Sequence, residues 1–360
     1  MIVEEQSRAD HPCRSGRRRD RQHELQRPHD MRRGAMILTR TELIEARRED
    51  SSWRATVRGP DGDRTIRSRA LVNAAGPWAE RLLERVDVTR QRRRVHLVKG
   101  SHIVLPRLYA GEHAFILQNP DGRGVFAIPF EDRFTLVGTT DVEWSGGPEA
   151  AAISEGETDY LLGTVARNFA ARPSRADIVW SYSGVRTLVD NGSGDPSKAT
   201  RDYLLDLDTL GAPLLSVLGG KLTTYRSLAE KALDRLVAFF PKASPGWTRD
   251  AVLPGGDIPD LDVERYAQRL RENWHALPSQ LLSRFARSYG TRTEALLSDI
   301  RSTDDLGEHF GGGLYAREVD YLVANEWART AEDVLFRRTK LGLHLDQKST
   351  ERLSAYQACP

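Results

Sequence analysis

Two glycines, a lysine and two threonines follow an apolar run in LSVLGGKLTTYR, residues 215–226. Glycines at such a junction allow a ligand to approach the backbone closely, and the first N–H groups of a following helix favour an electron-rich group. The segment can therefore hold part of a cofactor, or it can be a plain tight turn with ordinary polar residues. Its residues are Gly219, Gly220, Lys221, Leu222, Thr223 and Thr224. It is not a phosphate-binding loop, because the first glycine of G-x-x-x-x-G-K-[ST] is absent.

Two arginines near predicted strand ends could bind an anion. Arg186 lies in WSYSGVRTL and Arg201 lies in ATRDYLL. A guanidinium makes paired, charge-assisted hydrogen bonds to phosphate or carboxylate, so two arginines that converge on a pocket would suit either group. The alternative for each arginine is a solvated surface position, since the chain contains many of them.

His102 in VKGSHIVLP is a candidate for proton transfer. It follows Gly100 and Ser101 between two apolar runs. A neutral imidazole there can take a proton from an alcohol. The alternative is a structural histidine with satisfied hydrogen bonds. Aromatic residues such as Tyr182 are expected in the core rather than against a cofactor.

A third candidate is the junction ALVNAAGPWAERLLERV. It predicts a buried strand that ends at Ala74, Ala75 and Gly76, followed by a helix with Pro77 at or near its first position. The backbone can approach a ligand at such a strand-to-glycine-to-helix junction.

These residues need strands and helices to position them. Residues 35–70 predict two strands paired across a turn, a second turn at Pro60–Gly62 and a third strand. Residues 92–143 predict a sheet with a hairpin at VFAIPF and FTLVGTT, then a helix at about 153–170 and a strand in DIVWSYSGVRTLV. A further helix is expected from Lys221. From about Trp247 the apolar spacing predicts helices, and Thr330 with Asp333 resembles a capping box.

Composition limits the class of protein. The 360 residues contain 53 Lys and Arg against 51 Asp and Glu, which does not favour nucleic-acid binding. Cys13 and Cys359 lie at opposite ends, so the sequence predicts no disulfide framework, no cysteine metal site and a reducing cytosol. No run approaches the roughly 18 to 20 apolar residues of a membrane span. Residues 1–34 are rich in Arg, Asp and His without apolar periodicity and are expected to be disordered; a basic arm for nucleic acid or lipid is the alternative.

The motifs together carry a resemblance that no single one does. Between about Asp30 and residue 355 the chain closely resembles the FAD-dependent, quinone-reducing glycerol-3-phosphate dehydrogenases. The motifs that carry the resemblance are NAAGPWA, KGSHIVLP, ILQN, VFAIPF, VGTTDVEW, DIVWSYSGVRTL, TRDYLLDL, APLLSVLGGKLTTYRSLAEKAL, VLPGG, DLGEHFG and VANEWARTAEDVLFRRTKLGL.

The resemblance implies an α+β or α/β fold: an incomplete FAD-binding domain of the glutathione-reductase and D-amino-acid-oxidase type, an antiparallel-sheet substrate domain and a C-terminal α-helical domain. On this basis 35–91 and 213–240 are expected to belong to the FAD-binding domain, 92–212 to the substrate domain and 247–360 to the helical domain. Residues 1–34 match nothing in the family.

The implied reaction oxidises sn-glycerol 3-phosphate to dihydroxyacetone phosphate, with hydride transfer to FAD and electrons passed to quinone. By resemblance, Arg186 and Arg201 hold the phosphate, His102 accepts the proton or binds substrate, and Lys221 stabilises developing negative charge. The turn at 219–224 would meet the flavin ring, and Ala74–Gly76 would lie against the cofactor.

One departure is large. The G-x-G-x-x-G turn and first strand of the family's dinucleotide fold should precede residue 30, and neither is found there. We therefore expect this polypeptide alone to bind FAD weakly and to turn over slowly or not at all.

Two other classes stay open at this stage. One is an FAD-dependent amino-acid or amine oxidase, which would need a carboxylate clamp. The other is a non-catalytic remnant whose helical domain is an interaction module. The expected location is cytoplasmic, or peripheral on the inner face of the cell membrane as the family implies, and the chain could form a homo-oligomer.

Overall fold

The computed structural model describes residues 34–88, 95–189 and 202–358, with the backbone of Ile2–Val3. Two compact units are present: one comprises mainly Met36–Ala251 and the other mainly Val252–Pro360. Most of the tail predicted to be disordered lies outside the described residues, and that expectation stays a prediction. The assignment of segments to cofactor and substrate domains is likewise not tested by this division.

The first unit begins with a short parallel pair, β1 with β2, and an antiparallel sheet in the order β3–β4–β5. Trp53 of this sheet is fully buried and its Nε1 donates to the carbonyl of Pro213 at 2.9 Å. The predicted pairing across two turns is confirmed, and Gly62 takes a φ of +98° in the second turn. The strands are β1 (Ile2–Val3), β2 (Ile37–Leu38), β3 (Glu42–Glu49), β4 (Ser52–Gly59) and β5 (Gly62–Ser68).

A short strand then leads into a helix, as the glycine and proline predict. β6 spans Leu71–Asn73, Gly76–Trp78 form a 3-10 turn with Pro77 in its first positions, and α1 spans Ala79–Leu83. The expectation of a buried strand is wrong in one respect. Val72 is 46% exposed, because β6 is only three residues long and, among the described residues, pairs along one edge only.

Among the described residues, the central sheet of this unit has six strands. β7 pairs with β12 along one edge, and with β10 and then β11 along the other; β9 and β8 follow β10. Ile103 and Leu105 pack with Leu161 and Val165 of the covering helix α2. The hairpin predicted at VFAIPF and FTLVGTT and the helix predicted at about 153–170 are confirmed. The elements are β7 (Val95–Pro106), β8 (Phe115–Gln118), β9 (Gly124–Phe130), β10 (Phe134–Gly138), β11 (Val142–Glu143), α2 (Glu155–Asn168) and β12 (Trp180–Val189).

A third sheet has the order β13–β14–β6, with β13 (Tyr203–Asp208) antiparallel and β6 parallel to β14 (Leu214–Gly219). The helix expected from Lys221 begins later. Lys221 is extended, Leu222–Thr224 form a 3-10 turn, and α3 spans Tyr225–Leu236. The reason is local: both the N–H and the hydroxyl of Thr224 donate to the carbonyl of Lys221, at 3.0 and 2.9 Å, which closes the shorter turn.

The second unit is mainly helical, as its apolar spacing predicts. Phe285, Leu282 and Leu322 lie in its fully buried core. The capping box is confirmed, because Asp333 N–H donates to Thr330 Oγ1 at 3.1 Å and Thr330 N–H donates to the Asp333 carboxylate at 3.0 Å. A π-helical stretch covers Asp333–Arg338. The other elements are α4 (Val263–Asn273), α5 (Ser279–Tyr289), α6 (Arg292–Leu296), β15 (His309–Gly311), β16 (Leu314–Tyr315), α7 (Ala316–Glu326) and α8 (Gln347–Ala358).

None of the helices in the described segments combines the length and the apolar composition that crossing a bilayer requires.

Gly290, which ends α5, provides a test of the second unit. Its φ is +55°, and an added Cβ would overlap the carbonyl oxygen of Gly255. We predict that Gly290→Ala lowers the free energy of unfolding by about 3 kcal/mol, because neither backbone can give way cheaply. Chemical denaturation followed by circular dichroism measures this. Gly156→Ala in α2, where an added Cβ meets nothing within 4 Å, is the control and should leave stability unchanged or slightly higher. Equal stability of both variants would contradict the prediction.

Candidate functional site

The pairing of β7 with β12 decides which side chains share a face of the central sheet. His102 lies opposite Tyr182, and Gly100 lies opposite Gly184. Successive side chains of a strand point to opposite faces. His102, Tyr182 and Arg186, which all occupy even-numbered positions, therefore lie on the face that α2 does not cover. The structure therefore brings His102 and Arg186 to one surface.

The plane of the His102 imidazole is fixed from two sides. Its ring stacks on Tyr182 with centroids 4.8 Å apart and planes at 11°. On β10, Gly138 lies opposite His102, and a Cβ at Gly138 would overlap the imidazole ring. Tyr182, expected in the core, is instead only partly buried, because it stands on this sheet face. His102 is also partly buried, and its Nδ1 is inaccessible to solvent.

Arg186 lies beside the same Gly138–Thr139 segment. Its Nη1 is 2.9 Å from Asp141 Oδ1, and its Nη2 is 3.4 Å from Thr139 Oγ1. A Cβ at Gly100 would come within 2.9 Å of Arg186 Nη2, so the glycine makes room for the guanidinium above the strand. The Arg186 side chain is 36% exposed, which leaves the cation open to solvent and to an anion.

The absence of a side chain at Gly100 makes room for Thr139 Oγ1 and Arg186 Nη2, which would lie 2.5 and 2.9 Å from an added Cβ. Residues two apart on a strand are separated by about 6.6 Å. Gly100 and Gly184 each lie two residues from His102 and Tyr182 along their strands, and Arg186 lies two residues beyond Gly184. Because the guanidinium reaches over Gly100, it lies about one such step from His102, a span comparable to a three-carbon phosphate ester. The arrangement can hold a dianion at the guanidinium and present a hydroxyl to the imidazole.

The predicted glycine turn is present at the end of β14. Gly219 and Gly220 have φ values of +72° and +96°. A Cβ at Gly219 would lie 3.0 Å from Val189 Cγ2, so the turn packs on the end of β12, three residues from Arg186. Beyond it, Lys221, Leu222, Thr223 and Thr224 are exposed.

A second backbone segment reaches the same sheet edge. β6 and β14 are parallel, so Ala74–Gly76 and the glycine turn both follow carboxyl ends, where α/β sheets bind ligands. Asn73, fully buried, holds the segment: its Nδ2 donates to the carbonyl of Ala79 at 3.0 Å, and its Oδ1 accepts from Ala75 N–H at 3.2 Å. The 3-10 turn that follows packs on β12 and β14.

One predicted site residue is not placed. Arg201 lies in 190–201, outside the described residues. Its convergence with Arg186 stays a prediction.

Sequence reasoning missed a buried polar network beneath this face. Lys99 Nζ lies 2.7 Å from Glu157 Oε2, and the two side chains are 5% and 6% exposed. Glu157 Oε1 accepts from Ser101 Oγ at 2.8 Å and from Thr140 Oγ1 at 2.7 Å, and Glu157 also closes a capping box with Ser154. The S-x-x-E spacing of residues 154–157 predicts the capping box. No local pattern predicts that Lys99 is the partner of Glu157, because Lys99 lies on a strand distant in sequence.

The network ties together the elements that carry the site. Ser101 neighbours both Gly100 and His102, and its hydroxyl also lies 2.8 Å from that of Ser183, which neighbours Gly184. Burial alone would raise the pKa of Glu157, but the ion pair with Lys99 and the hydrogen bonds to Glu157 outweigh it and lower the pKa to about 2. The carboxylate is therefore charged at neutral pH.

Comparison with known proteins adds an independent finding. Residues 31–226 match the family described as FAD dependent oxidoreductase, and residues 247–356 match the C-terminal domain of alpha-glycerophosphate oxidase. The chain is 50% identical over 326 residues to a glycerol-3-phosphate dehydrogenase of Pseudomonas aeruginosa, covering 90% of this chain and 64% of that protein. It is 47% identical over 318 residues to a D-erythritol 1-phosphate dehydrogenase of Brucella abortus, covering 88% and 63%.

The chain also matches a second bacterial dehydrogenase and a solved structure. The aerobic glycerol-3-phosphate dehydrogenase of Escherichia coli is 46% identical over 330 residues, covering 91% of this chain and 66% of that protein. The solved structure of the Bacillus halodurans glycerol-3-phosphate dehydrogenase with FAD matches with a TM-score of 0.80 at 24% identity, covering 94% of this chain and 68% of that one. The structural match shows the fold. The chain spans about two thirds or less of the length of the three sequence relatives.

The Glu157–Lys99 pair yields a stability prediction. Glu157→Gln should lower the free energy of unfolding at pH 7 by about 3–5 kcal/mol, because it leaves a buried ammonium without its counter-charge. The double variant Lys99→Met/Glu157→Gln should recover part of that loss. Denaturant titration measures all three proteins, and a single variant as stable as the parent would contradict the assignment.

The same pair predicts an acid response. The pKa of Glu157 is about 2 in the folded protein against an ordinary value of 4.5, so its stabilisation is complete above about pH 4.5 and is lost as pH falls towards 2. Between these values the parent should lose stability more steeply than Glu157→Gln. Parallel slopes in unfolding measurements across this window would refute the prediction.

Proposed function

Because the chain belongs to the family of FAD-dependent oxidoreductases, we propose that it oxidises sn-glycerol 3-phosphate to dihydroxyacetone phosphate. The observation that carries the proposal is the placement of an imidazole and a guanidinium around Gly138–Thr139 on one open sheet face. The names of the relatives from Pseudomonas aeruginosa and Escherichia coli supply the substrate class. A phosphate monoester with a neighbouring hydroxyl suits both groups.

The residues present fit the ring end of FAD. Two backbone segments, Ala74–Gly76 and the turn at 219–224, emerge at the carboxyl edge of parallel strands, and the positive φ of Gly219 and Gly220 lets the backbone present its N–H groups. When bound, FAD supplies the hydride acceptor. In this proposal residues 35–91 and 213–240 hold the cofactor, and 92–212 hold the substrate.

Arg186 binds the phosphate in this account, with Arg201 as its proposed second cation. A charged hydrogen bond from the guanidinium fixes the ester end of the substrate and thereby directs its carbon chain toward His102 on the same sheet face. Lys221 is exposed at the turn beside β12. Its ammonium offsets the negative charge that develops on the cofactor or the substrate as the hydride departs.

His102 takes the proton of the C2 hydroxyl. The hydride leaves C2 with its electron pair, the hydroxyl oxygen becomes the ketone oxygen, and the proton remains on the imidazole until it is released to solvent. The stack on Tyr182 and the contact with Gly138 hold the ring plane, so little reorientation is needed.

The electron acceptor and location are a further part of the proposal. We assign reoxidation of the cofactor to a quinone. We also propose that the protein contacts the inner face of the cell membrane peripherally and that it forms a homo-oligomer. The aerobic designation of the Escherichia coli relative supports an acceptor of this kind.

A longer polyol phosphate is the second candidate substrate. The Brucella abortus relative, named for D-erythritol 1-phosphate, is 47% identical over 318 residues. The two substrates share the phosphate and the neighbouring hydroxyl, so the same side chains would serve both.

The function is tested by anaerobic reduction of the protein supplied with excess FAD. At saturating FAD we expect sn-glycerol 3-phosphate to bleach the flavin absorbance slowly, D-erythritol 1-phosphate to do so if the second candidate is correct, and glycerol or a D-amino acid to fail. Reduction by an amino acid alone would support the oxidase alternative. Absence of reduction by every phosphate ester would overturn the proposal.

Arg186 provides the matching variant. Arg186→Gln should weaken binding of sn-glycerol 3-phosphate by about 10- to 100-fold, the effect of losing a charged hydrogen bond. Titration calorimetry measures this with or without flavin. Arg175→Gln is the control, because Arg175 is exposed and pairs with Asp159 on another surface, and it should bind like the parent. An unchanged affinity in Arg186→Gln would contradict the assignment.

A further inference from the structure

We propose that Asp141 is a displaceable counter-ion that occupies the anion-binding side of Arg186 until a phosphate replaces it. This inference rests on the proposed function, since it adds a residue that competes with the phosphate of the substrate at the same site. Asp141 lies in the motif VGTTDVEW, directly after Thr139 and Thr140.

The contact itself is short and open to solvent. Asp141 Oδ1 lies 2.9 Å from Arg186 Nη1, and the two side chains are 44% and 36% exposed. An exposed ion pair is weak, because water screens the charges and both side chains lose rotamer freedom. A phosphate dianion carries more charge than a carboxylate and makes stronger paired bonds to a guanidinium, so it can win this competition.

The backbone beneath Asp141 is held, so only its side chain needs to move. Thr140 Oγ1 donates to Glu157 at 2.7 Å and accepts from Ser101 N–H at 2.9 Å, while Thr140 N–H donates to the carbonyl of Ser101 at 3.3 Å. On the other side, Val142 pairs with Lys99 as β11 begins. Rotation of the Asp141 side chain opens the cation without displacing the segment between β10 and β11 that carries Asp141.

The consequence is competition for one cation. A phosphate that binds at Arg186 Nη1 repels the Asp141 carboxylate, so the carboxylate must move away for the phosphate to bind there. A neutral polyol makes no interaction that would displace the carboxylate. The pair therefore lowers the affinity of the site for phosphate without affecting a neutral alcohol, and it keeps Arg186 compensated in the ligand-free protein.

The test measures binding of inorganic phosphate and of sn-glycerol 3-phosphate to the full chain by titration calorimetry. Asp141→Asn should bind both about tenfold more tightly than the parent, because the competing charge is gone while the side-chain size is kept. Glu143→Gln is the matched control: it removes an exposed carboxylate two residues away, and its affinity should equal that of the parent. Asp141→Asn/Arg186→Gln should lose the gain.

Each other outcome counts against the proposal. Weaker phosphate binding by Asp141→Asn would mean that Asp141 orients Arg186 instead of competing for it. Equal binding, or no binding in either protein, would also overturn the inference. A tenfold gain that persists in the double variant would place the phosphate elsewhere. Because the assay needs neither FAD nor turnover, its result is separate from that of flavin reduction: the gain could appear in a protein that never oxidises the ester.

Discussion

The register between β7 and β12 is the constraint on which the site depends. It places His102 against Tyr182 and Gly100 against Gly184, and it puts Arg186 on the same face. A shift by one residue would send the imidazole into the layer packed on α2 and bring Ser101 and Lys99 to the open face, because alternate side chains face opposite ways. The chemistry proposed here exists only in this register.

The other face of the sheet shows why this register is strongly preferred. Lys99 and Glu157 form an ion pair that is nearly inaccessible to solvent, and the hydroxyls of Ser101 and Thr140 donate to the same carboxylate. A slipped pairing would move Lys99 and Ser101 to the open face and leave the Glu157 carboxylate buried without them, which costs far more than a lost surface contact. The accessible face can therefore keep glycines and a partly exposed cation, since other residues hold the sheet.

Local signals in the sequence predicted local structure well. The glycine pair gives a turn at Gly219 and Gly220, Pro77 opens a helical turn, and Thr330 with Asp333 forms the capping box. The features that the sequence did not predict depend on contacts with residues distant in sequence. Val72 is exposed because of where its strand lies in the sheet, and the partnership of Lys99 with Glu157 depends on how α2 packs against β7. Neither feature has a signature within a short window.

The placement of the substrate can be tested most directly by a crystal structure of the protein soaked with sn-glycerol 3-phosphate. The account predicts phosphate density within about 3 Å of the Arg186 guanidinium, the Asp141 carboxylate rotated away from it, and the C2 hydroxyl within hydrogen-bond reach of the His102 ring. Density for the ester bound at another surface, with the Arg186–Asp141 pair intact and His102 not in contact with it, would contradict the account.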